Sequence, residues 1–310
     1  MNQANQGNHL GRHTDRADVM AVHTAWGADV ELMRTWYSSQ TFPRHTHEYF
    51  TIGVVLRGVG TLWYRGSETT LHPGDVVVIP PGEVHTGGLG RGSSVLSYLA
   101  VHVPVDFLPM LAGIETVNGG RPLEFTSAVV HDAEIAAELR RLDSVMNGAR
   151  ARTDVAERLE SVPQSRVDDG AANDALCAAI RTLVDRHSAA AVASTAAATH
   201  QEPSVVRIAR DIIEDCFGDN TQTSLHALAL RANVSPCHLV RVFTRTVGLS
   251  PHRYLVQTRV RRASQLLARG VPPSFVAAMT GFADQSHLTT QFKRFVGTTP
   301  TSYQRAVVPR

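Results

Sequence analysis

The chain lacks most of what would mark it as secreted, membrane-spanning or a common kind of enzyme. Its 310 residues hold only three cysteines, Cys177, Cys216 and Cys237, widely spaced and in no CxxC pair. That usage excludes a disulfide framework and suits a reducing compartment. No window approaches 18 uninterrupted apolar residues, so no membrane span is expected. The opening stretch MNQANQGNHLGRHTDR has no apolar core of the kind a secretory signal needs, which points to the cytoplasm. No Ser-His-Asp set, carboxylate pair or phosphate-binding glycine loop stands out, so no catalytic residue is assigned. The sharpest shortage is of acid. From Thr221 to Arg310 a single acidic residue, Asp284, stands among 12 Lys and Arg residues.

That shortage splits the molecule electrically. The terminal ninety residues carry +11 and residues 1–220 carry −9, although the whole chain shows only +2. A cationic block of this density points to a polyanion, either nucleic acid or an anionic membrane surface. Its arginines are spread over several segments separated by caps and turns, not along one amphipathic face, which favours double-stranded DNA over membrane.

The block also contains a repeat. Shifted by 49 residues against itself, it aligns Ala229 with Ala278, His238 with His287, Leu239 with Leu288, Phe243 with Phe292 and Arg245 with Arg294. Val247, Gly248, Pro251 and Tyr254 then fall on Val296, Gly297, Pro300 and Tyr303. Two copies at this period are a duplicated supersecondary unit, not a solenoid.

Each copy has helix-turn-helix grammar. In the first, a helix over Leu225–Ala232 meets the turn Asn233-Val234, and Ser235 caps the next helix with Pro236 at its first position. In the second, Phe275–Thr280 is followed by the turn Gly281-Phe282-Ala283 and the cap Asp284. Leu239 with Phe243, and Leu288 with Phe292, sit at i, i+4 and face a core. The residues between them face outward, as the second helix of such a motif presents them to a major groove. The outward set is Cys237, His238, Arg241, Thr244 and Arg245 in the first unit. In the second it is Gln285, Ser286, His287, Thr290, Gln291, Lys293 and Arg294. Arg pairs with guanine, Gln with adenine and Ser/Thr with either, while basic residues further along hold phosphates. A thiol at Cys237 beside cations has redox potential, but it reads more simply as a small residue on a contact helix. Between the units, Pro251–Ala268 reads as a helix striped by Val256, Val260, Ala263 and Leu267, roughly 25 Å long. That length suits two recognition helices in successive major-groove faces.

The N-terminal half reads differently. From Val30 to about Val103, FTIGVVL, GTLWYRG, DVVVIP and SVLSYLAVHV are β-rich segments separated by Gly/Pro turns, as in a barrel or sandwich. Residues 1–20 are polar and expected to be disordered. Helical patterning follows over 131–159 and 173–187, then a nearly chargeless Ala/Thr/Ser stretch at 188–204 reads as a linker. The expected architecture is multidomain α+β: a β-barrel, whose cupin-like character rests on the resemblance given next, with C-terminal helices over 21–187, and an all-α double helix-turn-helix domain over 205–310.

The run SLHALALRANVSPCHLVRVFTRTVGLSPHRYL, followed by GFADQSHLTTQFKRFVGTTPTSY, resembles the AraC/XylS-type regulators over the last hundred residues. That family often has Arg two residues after the Leu of each second helix; here it is Arg241 in one unit but Thr290 in the other. His45-x-His47, followed by Gly74, Pro80, Gly82 and His85, resembles the two cupin motifs. The Glu that the cupin pattern places after three or four intervening residues beyond the second His is replaced by Thr51 or Ile52, and the Asn after His85 by Leu89. The resemblance implies a transcription regulator, most commonly an activator, whose barrel is a metal-free sensor of a small-molecule effector. It further implies a homodimer built through the helices after the barrel, which would equally pack on their own barrel, and contact with RNA polymerase. The effector lining read from the residues is His45, His47, Tyr49, Trp63, Tyr64 and His85, with only one of Trp63 and Tyr64 facing inward. Arg44 and Glu48 are read as solvated or at the rim. Three converging imidazoles would suit Zn, Fe or Mn, but the motif's departures favour polar or structural roles, so no metal or other cofactor is expected. The competing reading is a metal-dependent cupin enzyme carrying a DNA-binding tail.

Overall fold

The computed structural model describes residues 15–23, 29–108, 123–158, 169–189 and 202–308. The strands are β1 (Arg16–His23), β2 (Asp29–Tyr37), β3 (Phe50–Gly58), β4 (Gly60–Tyr64), β5 (Ser67–Leu71), β6 (Val76–Ile79), β7 (His85–Leu89), β8 (Leu96–Val103), β9 (Glu124–Phe125), β10 (Val129–Val130) and β11 (Ser188–Ala189). A six-stranded sheet in the order β1-β2-β8-β3-β6-β10 faces a three-stranded sheet in the order β5-β4-β7, and β9 pairs with β11.

Strand alternation gives the large sheet two distinct faces. Val30 and Leu32, Phe50, Ile52 and Val54, Val76 and Val78, and Leu99, Val101 and Val103 point one way. They pack against α1 (Ala133–Arg158) and α2 (Asp169–His187) through Ile135, Leu139, Leu142, Leu176, Ile180 and Leu183. These two helices therefore pack on their own barrel. The intervening residues (Glu31, Met33, Thr51, Gly53, Val55, Val77, Ile79, Tyr98, Ala100 and His102) point toward the small sheet and line a cavity.

Some boundaries differ from the sequence reading. Residues 16–20, expected to be disordered, belong to β1 and pair with Met20↔Leu32 through Arg16↔Trp36 on β2. Val19 is buried against the helical domain, which supplies the apolar contact that makes the strand worthwhile. Residues 1–14 lie outside the described chain. Ser188 and Ala189, assigned to the linker, pair with Phe125 and Glu124; residues 190–201 are likewise outside the description.

The helical domain comprises α3 (Ser204–Cys216), α4 (Leu225–Arg231), α5 (Pro236–Val247), α6 (Pro251–Ala268), α7 (Pro273–Met279), α8 (Gln285–Val296) and α9 (Pro300–Val307). The repeated sequence positions are its caps. Ser235 and Asp284 accept from the amides of His238 and His287. Gly248 and Gly297 end α5 and α8 in the left-handed region, at φ +80° and +84°, where a side chain would be strained. Ser250 and Thr299 cap the next helices, with Pro251 and Pro300 at the first turn. The stripe Val256, Val260, Ala263 and Leu267 along α6 is buried.

Candidate functional site

Two surfaces of the molecule carry chemistry. The first is the outward side of α5 and α8. Leu239, Val242 and Phe243 on α5, and Leu288 and Phe292 on α8, are buried. Cys237, Arg241, Thr244 and Arg245 are exposed and His238 is partly so; Gln285, Ser286, His287, Thr290, Lys293 and Arg294 are exposed and Gln291 is partly so. All twelve predicted positions thus lie outside the core, on two helices of equal length with equivalent caps. Their side chains are not equally free, however. The Arg241 guanidinium lies 3.3 Å from His238 Nδ1, and the Thr290 hydroxyl donates to the carbonyl of Ser286 in its own helix at 3.0 Å. The His287 ring packs edge-on to Phe282 of the turn, 5.2 Å between centroids.

Not all of the positive charge is available to a polyanion. Arg259, only 6% exposed, donates to the carbonyls of Phe217 and Gly281 at 2.8 and 2.9 Å and to Asn220 Oδ1 at 3.0 Å. It joins the end of α3 to the turn of the second unit. Arg261 bridges Glu48 of the barrel, at 2.8 Å, and Glu214 of α3.

The second surface is the cavity between the sheets, about 460 Å³ in volume. His45 and His85 face each other as an antiparallel bridged pair, each backbone N–H donating to the other's carbonyl at 3.0 Å. That pairing sets the two imidazoles side by side, 4.3 Å between centroids, and His47 joins them at 4.7 and 5.0 Å. Tyr49 stacks on both His47 and His102. Burial, reinforced by the neighbouring imidazole of His85, holds His45 down at about 3; burial likewise takes His85 to about 4 and His47 well below its usual value. All three rings are neutral at physiological pH.

Of the six residues expected to line an effector site, His45, His47, Tyr49 and His85 lie on the cavity wall, whereas neither Trp63 nor Tyr64 reaches it. Leu62 takes the inward place on β4. Trp63 alternates to the other face, where the Arg44 guanidinium lies 3.8 Å from its ring centroid. Tyr64 sits at the strand end, partly buried against the cluster of Leu62, Leu71 and Ile79. Glu48, read as solvated or at the rim, is at the cavity mouth and ion-paired.

Sequence reasoning missed that the helical domain closes the cavity. Gln257, Val260, Arg261, Ser264 and Gln265 of α6, Phe295 and Val296 of α8, and Tyr303 of α9 all line it. Gln257 exchanges hydrogen bonds with Thr46: its amide oxygen accepts from Thr46 N–H at 3.1 Å, and its NH₂ donates to the Thr46 carbonyl and hydroxyl. Phe295 approaches His45 edge-on at 6.5 Å. Tyr303 donates to Glu31 at 2.6 Å, and the other Glu31 oxygen lies 2.9 Å from His102 Nδ1. Burial alone would raise the Glu31 carboxyl, but the bonds from His102 and Tyr303 outweigh it and hold the group below its usual value.

Residues 27–165 match the AraC-like ligand binding domain family, and residues 228–306 match a helix-turn-helix domain family. YbfI, an uncharacterized HTH-type transcriptional regulator of Bacillus subtilis (strain 168), is 27% identical over 250 residues, covering 80% of this chain and 82% of that protein. The HTH-type transcriptional activator RhaS of Escherichia coli O81 (strain ED1a) is 25% identical over 256 residues, covering 82% and 84%. Among solved structures, the C-terminal domain of AraT, a response regulator from Geobacillus stearothermophilus, is 29% identical over 36% of this chain and 91% of that one, with a TM-score of 0.33. Among the described residues, no helix is long and apolar enough to cross a membrane. With a ligand-binding domain matched in one half, a helix-turn-helix domain in the other and transcriptional regulators as relatives along 80% of its length, the chain belongs to the AraC family of transcription regulators.

Proposed function

We propose that this regulator works as a cytoplasmic homodimer and activates transcription, through contact with RNA polymerase, when a small molecule occupies the cavity. One observation carries the reading: the wall of the cavity is shared between the barrel and the helical domain, including Phe295 of the second recognition helix and Tyr303 behind it. A ligand there does not need a distant relay. Its bulk and polarity act directly on the contacts that fix α6, α8 and α9 against the barrel, so its differential affinity for two domain arrangements becomes a coupling free energy. The cavity is largely apolar with a polar patch of imidazoles at one side, which suits a compact ligand with one polar end. On the DNA side, Arg241, Arg245, Gln285, Gln291, Lys293 and Arg294 supply the base-reading and phosphate-holding groups. Activation is the role named for the relative RhaS.

The test has two stages. A metabolite panel is screened by thermal shift on the full-length protein, and each hit is added to gel-retardation assays on the chain's own upstream region. Ligands that raise the melting temperature should alter retardation or the footprint. A ligand that stabilises the protein yet leaves both unchanged would refute the shared-wall coupling.

A further inference from the structure

The imidazole patch of the cavity has a definite hydrogen-bonding sense. His45 Nδ1 is 2.7 Å from the carbonyl oxygen of Pro43, and His85 Nδ1 is 3.0 Å from that of Glu83. A carbonyl oxygen only accepts, so in these neutral rings each Nδ1 carries the hydrogen and each Nε2 keeps its lone pair. Among the described residues, nothing donates to either Nε2. The patch is also small: one ring nitrogen each from His45, His47 and His85 lie within 4.8 Å of one another. A molecule that meets it finds at least two acceptors, and only a donor can satisfy them.

The rest of the wall decides against charge and against many hydroxyls. Among the described residues, Arg261 is the one Lys or Arg on the lining, and its terminal nitrogens already serve Glu48, at 2.8 Å, and Glu214. Glu31 is likewise occupied, by His102 and Tyr303. A carboxylate would therefore enter without a free counter-charge and face lone pairs, while an ammonium would find only carboxylates that are already paired; either charge is costly to bury so. Away from the imidazoles, Val55, Leu62, Leu71, Ile79 and Leu96 form one apolar cluster on the wall. The many hydroxyls of a sugar would lack partners there. We propose that the cavity selects an uncharged, mainly apolar molecule with one hydroxyl, an aromatic or aliphatic alcohol, whose O–H donates to Nε2 of His45 or His85. The inference rests on the cavity's role as the effector site and adds the chemical class of the effector.

The experiment titrates full-length protein with three probes of similar shape, 2-naphthol, 2-methoxynaphthalene and 2-naphthoate, and reads binding by equilibrium dialysis. 2-Naphthol should bind. Capping its oxygen as the methyl ether should weaken binding roughly tenfold, the loss of one donated hydrogen bond, and 2-naphthoate should bind more weakly than the ether. Absence of 2-naphthol binding would overturn the proposal, as would an ether or a carboxylate that binds as tightly as the alcohol. In a His45→Leu/His85→Leu variant shown to be folded by circular dichroism, the affinities for alcohol and ether should converge. A preference kept at its wild-type size would remove these two rings from the contact. Should that variant fail to fold, nitrogen-15 NMR of histidine-labelled wild type decides. His45 and His85 should both be protonated at Nδ1, with an Nε2 resonance that moves on adding 2-naphthol; protonation at Nε2 excludes the acceptor role. These are binding readouts, whereas failure of the regulatory reading shows as a bound probe without effect on DNA retardation, so the two failures are distinguishable.

Discussion

The two helix-turn-helix units share a sequence pattern and an internal packing, but they complete their structures in different ways. Tyr254 and Tyr303 occupy the same repeat position, and each packs edge-on to the same phenylalanine, at 5.6 Å on Phe243 and 5.4 Å on Phe292. Each hydroxyl donates to a glutamate. In the first unit that glutamate is Glu214 of α3, within the helical domain; in the second it is Glu31 of strand β2, in the barrel. The cores diverge in the same way. The first unit packs with Val206, Ala209, Ile212 and Ile213 of α3, whereas the second packs with Val19, Met33 and Ala100 of the barrel. The barrel thus takes the part in the second unit that α3 takes in the first. A duplicated module keeps its own caps and core, but its third partner is free to change, and here that change attaches one unit to the domain containing the cavity.

Arg259 is the strongest test of whether the two units behave as one body. Its guanidinium serves carbonyls on both sides of the boundary, at Phe217 and at Gly281. Gly281 has φ +74°, and a Cβ there would come within 2.9 Å of that guanidinium, so the backbone and the arginine are fitted to each other. Arg259→Met removes the donors and leaves two carbonyls poorly satisfied. The expected cost is about 3 kcal/mol, from hydrogen bonds to a charged group, read as a lower denaturation midpoint of the helical domain together with weakened retardation of a two-unit DNA site. Unchanged stability would mean the units are held by their apolar contacts alone.

The tyrosines sharpen the comparison next. Tyr254→Phe and Tyr303→Phe each lose one hydrogen bond to a carboxylate, about 1.5–3 kcal/mol in each case. The address of the loss should differ. Hydrogen exchange in full-length protein should rise in α3 and α6 for the first variant, but in β2 and α9 for the second. Matching patterns from both would erase the distinction between the units. Acid provides a smaller check. The Glu31 carboxyl is held below its ordinary 4.5 in the folded state, because the His102 and Tyr303 bonds outweigh burial. Its contribution is therefore complete above 4.5 and lost as pH falls from there toward the folded value. The melting temperature of Glu31→Gln should fall less than that of wild type between pH 6 and pH 4; parallel falls would show that this carboxylate does not stabilise the docked arrangement.

What could be read from sequence follows from how local the cause is. Caps, the glycines ending α5 and α8, the prolines opening α6 and α9 and the i, i+4 core pairs are each fixed by chemistry within a few residues, and the structure has them in place. β5 and β7 escaped notice because SETTL has one buried residue and HTGGL has two central glycines, so neither shows apolar alternation. The three cavity histidines were legible from the His-x-His spacing, although His45 sits in a single β-bridge and His47 lies outside any strand. Their approach to His85 depends on a bridge between distant segments, and the closure by Gln257, Phe295 and Tyr303 depends on how two domains meet. No local pattern encodes either. Arg259 illustrates the limit most clearly: by composition it counted toward a DNA-facing charge, yet it is buried and spent on protein carbonyls.

The smallest expected effect separates the two recognition helices themselves. Position 241 of the first unit corresponds to position 290 of the second, arginine in one and threonine in the other. Arg241 is exposed with a guanidinium able to reach a base or phosphate, so Arg241→Ala should weaken binding to the cognate site by about 1–3 kcal/mol if it reads a base. If it holds phosphate instead, the loss should be equal on unrelated sequences, with a shallower salt dependence. The Thr290 hydroxyl is already donated to the Ser286 carbonyl, which leaves it little to offer the groove. Thr290→Ala should therefore change affinity by less than about 0.5 kcal/mol, the scale of a surface substitution away from any special feature. Competitive retardation of both variants on the same promoter fragment measures the contrast. A Thr290→Ala loss as large as that of Arg241→Ala would show that the hydroxyl turns away from its helix to read DNA, and that the second unit contributes through the very position where it departs from the first.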